Sequence, residues 1–98
     1  MTNGGNEIAF SLDGDYELQY VKHYLVRAGE RLSDMMPEAD FDLVHVIAGS
    51  GSLAQADQVI QLDPGRRVKI SRDVFYALSS GSHDDLTVEV IGFRNRAQ

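Results

Sequence analysis

FDLVHVIAGSGSL, residues 41–53, is an apolar run that breaks at Gly49-Ser50-Gly51 and then resumes. Two glycines at the break permit the positive φ that tight strand connections need, so the stretch reads as the central hairpin of an antiparallel β fold. Leu62-Asp63-Pro64-Gly65 reads as a second turn of the same kind. Between these turns, residues 52–56 and 58–62 read as two short strands joined through Asp57. Further on, Val68 and Ile70 keep apolar positions two apart, residues 74–78 form another apolar run, 79–85 is a polar loop, and 86–93 is a last strand before a polar tail at 94–98.

Upstream of the central stretch, residues 30–40 have no clean period and contain Pro37, so they read as a loop overhanging a cavity rather than as a helix. Before them, Tyr16, Leu18 and Tyr20 alternate with Glu17 and Gln19 at strand period, and the extended chain continues to Gly29. Asp13-Gly14-Asp15 is a turn signal, residues 8–12 an outer strand, and residues 1–7 a disordered, frayed start. The expectation is an all-β fold, with a single domain over 8–93 and turn spacing suited to a sandwich or barrel.

Ninety-eight residues with 43% hydrophobic content suit one small core. Fifteen acidic against nine basic residues give a formal charge of -6, a field that repels phosphate backbones, so nucleic acid is not an expected partner. No apolar run approaches the roughly 20 residues of a membrane span, and MTNGGNEIAF lacks the blocks of a signal peptide, so no membrane association and a cytoplasmic location are expected. With no cysteine there is no disulfide and no thiolate metal site.

The order of glycine turn, loop, apolar strand ending in Gly-x-Gly, short hairpin, Pro-Gly turn and closing strand resembles the cupin superfamily of small single-domain, conserved-barrel type, a double-stranded β-helix or jelly roll. The resemblance covers roughly residues 16–93. The first cupin motif has a glycine, two histidines, a glutamate and a closing glycine. Its glycines fall at Gly29 and Gly49, its histidine positions at Met35 and Pro37, and its glutamate position at Asp42. The second motif opens at Gly65, and its proline, glycine, histidine and asparagine positions hold Ser71, Asp73, Tyr76 and Ser80. The scaffold glycines match while the ligand residues do not. Cupins include metal-dependent dioxygenases, isomerases and decarboxylases, metal-independent sugar epimerases, seed-storage proteins and sensory domains of regulators.

Proline offers no donor side chain, methionine sulfur is soft, and a phenol titrating near 10 seldom ligates, so Asp42 alone is left for an ion. No metal and no cofactor are expected. The three histidines do not repair the site. His23 precedes Gly29, His83 sits in a polar loop, and His45 alternates away from Asp42, which puts it on a packed or partner-covered outer face rather than at a catalytic position.

The resemblance points Asp42 and Tyr76 into one cavity, with Met35 beside them as a ligand contact and Met36, Tyr24 and Phe75 as further neighbours. Two readings stay open. In one, the chain is a metal-independent small-molecule-binding or regulatory module, with Tyr76 filling the space of a lost metal and satisfying Asp42. In the other, it is a metal-independent enzyme of the sugar epimerase or isomerase kind, with Tyr76 and Asp42 as an acid–base pair. A homodimer is also expected, because Leu43, His45 and Ile47 are left facing outward once the interior is assigned, with residues 8–12 as the rival cover.

Overall fold

The computed structural model describes residues 16–96. The expected frayed start and the expected strand at 8–12 lie outside the described residues. Within them run eight strands: β1 (Tyr16–Val26), β2 (Arg31–Met35), β3 (Phe41–Ala48), β4 (Gly51–Gln55), β5 (Gln58–Leu62), β6 (Arg67–Ser71), β7 (Tyr76–Ser80) and β8 (Leu86–Asn95). They form two four-stranded sheets, β1-β8-β3-β6 and β2-β7-β4-β5, antiparallel throughout. This is the two-sheet jelly roll expected of the sequence. Among the described residues no helix is long and apolar enough to cross a membrane.

The stretch at 41–53 is not a hairpin. β3 belongs to the first sheet and β4 to the second, so Gly49 and Ser50 carry the chain around a corner between sheets. Gly49 has φ +82° and its missing side chain leaves room for the carbonyl of Asp85, so the glycine is required both by conformation and by close approach. The turn at Gly65, φ +90°, likewise passes from β5 in one sheet to β6 in the other. A local glycine pattern specifies a sharp reversal but not which sheet receives the next strand. The hairpin pairing does occur between β4 and β5, where Gln55 opposes Gln58.

Residues 30–40 are not wholly loop. β2 occupies Arg31–Met35 and pairs with β7, with an irregularity between Leu32 and Met35 where Asp34 adopts φ +59°. The bulge erases the period-two signature, so the strand is invisible to alternation. Two other bounds move: β7 starts at Tyr76 and runs to Ser80, and β8 continues past Phe93 to Asn95.

β3 is apolar on both faces and both faces are used. Val44 and Val46 join Val88, Val90, Leu53, Leu62, Ile70 and Leu78 between the sheets. Phe41 and Leu43 face the other way and pack with Ile91 and Phe93, the rings of Phe41 and Phe93 stacking at 5.2 Å. Each such buried side chain contributes about 1.5–3 kcal/mol, and the inter-sheet layer dominates.

Candidate functional site

β3 delivers Asp42 to the inter-sheet face at one end of the sandwich, where it is 2% exposed, the buried charged side chain of the described core. A buried carboxylate is costly unless hydrogen-bonded, and here both oxygens accept. The Tyr76 hydroxyl donates to Oδ2 at 2.9 Å from the facing sheet. The Tyr20 hydroxyl donates to Oδ1 at 2.5 Å, and accepts from the Glu38 backbone N–H at 3.0 Å.

Tyr20 arrives from two strands away. Its cross-strand partner on β8 is Gly92, and Gly92 is also the partner of Asp42 on β3. The Tyr20 ring lies where a Gly92 side chain would stand. A glycine on the middle strand thus lets a tyrosine reach across it to a carboxylate about two strand spacings, near 10 Å, away. Tyr20 faces inward because β1 bulges between Leu18 and Tyr20. Tyr16 and Leu18 are therefore on the outer side, Tyr16 edge-on to Phe41 at 5.3 Å, and the uniform alternation expected for Tyr16, Leu18 and Tyr20 does not hold.

Burial, with the Asp42 hydrogen bond second, pushes the Tyr20 phenol up to about 12. Burial followed by the Asp42 charge pushes Tyr76 up as well. Both phenols are held as neutral donors. A cavity of about 330 Å³ opens beside the clamp. Met35, Asp42 and Tyr76, the residues singled out from the sequence, all line it, and Met35 and Tyr76 are direct cross-strand partners. Tyr24, Met36 and Phe75 line it too.

The sequence reading missed Tyr20, Lys22, Asp34 and Glu38. Tyr20, Lys22 and Tyr24 stand two apart on β1, a spacing that puts them on one face, and that was the available signal. Lys22 Nζ lies 2.9 Å from Glu38 Oε2 and 4.7 Å from the centre of the Tyr20 ring, and its hydrogen bond to Glu38 holds the ammonium pKa up.

The positions matched to metal ligands do not fit a metal. Pro37 is buried without a donor, Met35 presents a thioether, and the oxygens of Asp42 are taken by two phenol hydrogens. Among the described residues no group of three or more His, Cys, Asp and Glu side chains is arranged to hold one. His23 and His45 both approach Glu89, at 3.2 and 3.6 Å, on the outer face of the first sheet. His45 therefore lies on the side assigned to it, and His83 is exposed in the β7–β8 loop.

No protein-family profile matches the chain. No curated protein matches it in sequence. Solved structures do match. A cupin protein from Bacteroides fragilis superposes with a TM-score of 0.69 at 16% identity, covering 80% of this chain and 66% of that one. A cupin 2 conserved barrel domain protein from Rhodopseudomonas palustris gives 0.65 at 14%, covering 78% and 57%. An RmlC-like cupin family protein with a double-stranded β-helix fold from Methanocaldococcus jannaschii gives 0.66 at 19%, covering 74% and 66%. The chain thus spans somewhat less than two thirds of those chains' own length, and the fold it shares with them is the double-stranded β-helix of the cupins.

Proposed function

We propose that this cupin-fold chain is a metal-independent small-molecule-binding or regulatory module whose ligand enters the cavity beside Asp42. The observation that carries the reading is the closed Tyr20–Asp42–Tyr76 clamp at the cavity wall: the position matched to a metal-binding carboxylate is committed to two neutral phenols. A wall fixed in this way is preorganised, and about 330 Å³ lies within the range of small-metabolite sites.

The clamp weighs against an acid–base enzyme. A general base works best with an unengaged oxygen facing substrate and an acid with a pKa near the working pH, whereas each Asp42 oxygen already accepts a phenol hydrogen and both phenols are pushed well above neutral. The acidic net charge supports a partner other than nucleic acid, and a cytoplasmic setting and self-association belong to the same proposal.

The test is a thermal-shift screen against a metabolite panel, with elemental analysis of the dialysed protein. A ligand at about 100 times its Kd should stabilise the chain by about 2.7 kcal/mol, a shift on the order of 10 °C, with no turnover and no stoichiometric metal. Turnover lost in Tyr76→Phe would establish the enzyme instead, and about one tightly held transition metal per chain would overturn the metal-free reading.

A further inference from the structure

The cavity's chemistry selects among ligands. Tyr20, Tyr24, Phe75 and Tyr76 give it four aromatic rings, and Met35 and Met36 add polarizable thioethers. Its charged side chains are the carboxylates of Asp34, Glu38 and Asp42 against the one ammonium of Lys22, a lining of three negative charges and one positive, net -2. Anions are poorly served here, since both clamp hydroxyls give their hydrogens to Asp42 and Lys22 is tied to Glu38. Phe75 and Met36 remain 59% and 41% exposed at the entrance, apolar surface that a bound molecule would cover.

One cation already sits there. The Lys22 ammonium lies 4.7 Å from the centre of the Tyr20 ring and 2.9 Å from a Glu38 oxygen, the pairing of aromatic face and carboxylate that recognises an organic ammonium. Lys22 is 38% exposed on a flexible four-carbon stem, so its head can swing into water without disturbing the clamp. We propose that the cavity binds a small organic ammonium compound whose charged head displaces the Lys22 ammonium from the Tyr20 ring and the Glu38 carboxylate. This rests on the reading of the cavity as a ligand site and names the class of ligand. Lys22 then acts as an internal competitor that keeps the site closed to weak cations.

Calorimetric titration with choline and with its uncharged carbon isostere dimethylbutanol tests the inference on the full chain and on Lys22→Met. Choline should bind the wild type more tightly than the isostere, and Lys22→Met should bind choline about tenfold more tightly with no gain for the isostere. In the Lys22→Met background, Tyr20→Phe keeps the ring and should keep choline binding within about twofold, whereas Tyr20→Leu should abolish it, with circular dichroism confirming that both remain folded. Equal binding of the isostere, or a Lys22→Met chain that binds choline no better, overturns the ammonium while leaving the cavity a ligand site. Absence of choline binding to every chain also overturns it, and the metabolite screen then decides separately whether the cavity binds anything.

Discussion

Asp42 is held by two hydroxyls of unequal burial, and the difference sets what each is worth. Tyr76 is 3% exposed, so Tyr76→Phe leaves a buried carboxylate oxygen without a donor and should cost about 1–3 kcal/mol, read by urea denaturation. Asp42→Asn combined with it should fall short of the sum by about 0.5–3 kcal/mol, because the groups share one hydrogen bond. Alkali offers an independent reading. The folded chain holds the Tyr20 phenol at about 12 against 10.0 unfolded, so in that interval the native state binds more protons than the unfolded one. Stability is therefore complete below pH 10 and falls as pH rises toward 12, with Tyr76 pushing the same way. Tyr76→Phe should flatten the fall between about pH 10 and about pH 12. At this scale Asp42, Tyr76 and Met35 were legible, because a motif spacing places residues in register whatever their type. Tyr20 was not, because its orientation depends on one bulged residue.

Strand β8 acts as a bridge, and Gly92 is its narrowest point. Gly92→Ala would put a methyl group where the Tyr20 ring lies, and overpacking of that kind costs about 1–3 kcal/mol. The distinguishing readout is the phenol: expelled from Asp42, Tyr20 should titrate closer to its ordinary value, seen as earlier phenolate absorbance in an alkaline titration. Unchanged titration with unchanged stability would mean that the ring clears the glycine. Elements bounded by clear turn signals, β3, β4, β5 and β8, were legible to within a residue or two. β2 was hidden because its register slips at Asp34, and the second-motif turn was blurred because Asp73 stands with φ +68° at the position matched to a glycine, a conformation aspartate tolerates better than most residues.

For the whole molecule, the expectation of self-association rests on the outer face of the first sheet. Leu43, expected to need a partner, is already 2% exposed in the single chain, so Leu43→Asp would unfold the chain rather than report an interface. The unburied apolar residues on that sheet are Leu18 at 57%, Val21 at 45%, Leu25 at 52% and Ile47 at 46%. We propose that a homodimer, if it uses this face, closes over them, with light scattering at twice the 10.8 kDa chain mass and Leu25→Asp shifting it toward monomer at unchanged circular dichroism. A monomer at tens of micromolar would reject it. The two-sheet architecture was legible from turn spacing and motif order, while the assignment of strands to sheets was not, since it is written in contacts between distant residues.

That assignment also governs how the chain reaches its structure. Among the described strands, β4 and β5 are the consecutive pair that lie side by side, and each of the other connections leaves one sheet for the other. Neither sheet can assemble from neighbouring sequence alone, and each waits for segments that arrive from the far ends of the chain, as β8 must slot between β1 and β3. Closing those loops costs entropy before any contact repays it, which places folding in the millisecond-to-second regime typical of non-local β topologies. By the same interleaving, neither sheet is expected to peel away while the other stays intact, so the domain should open in one cooperative event that takes the cavity beside Asp42 with it.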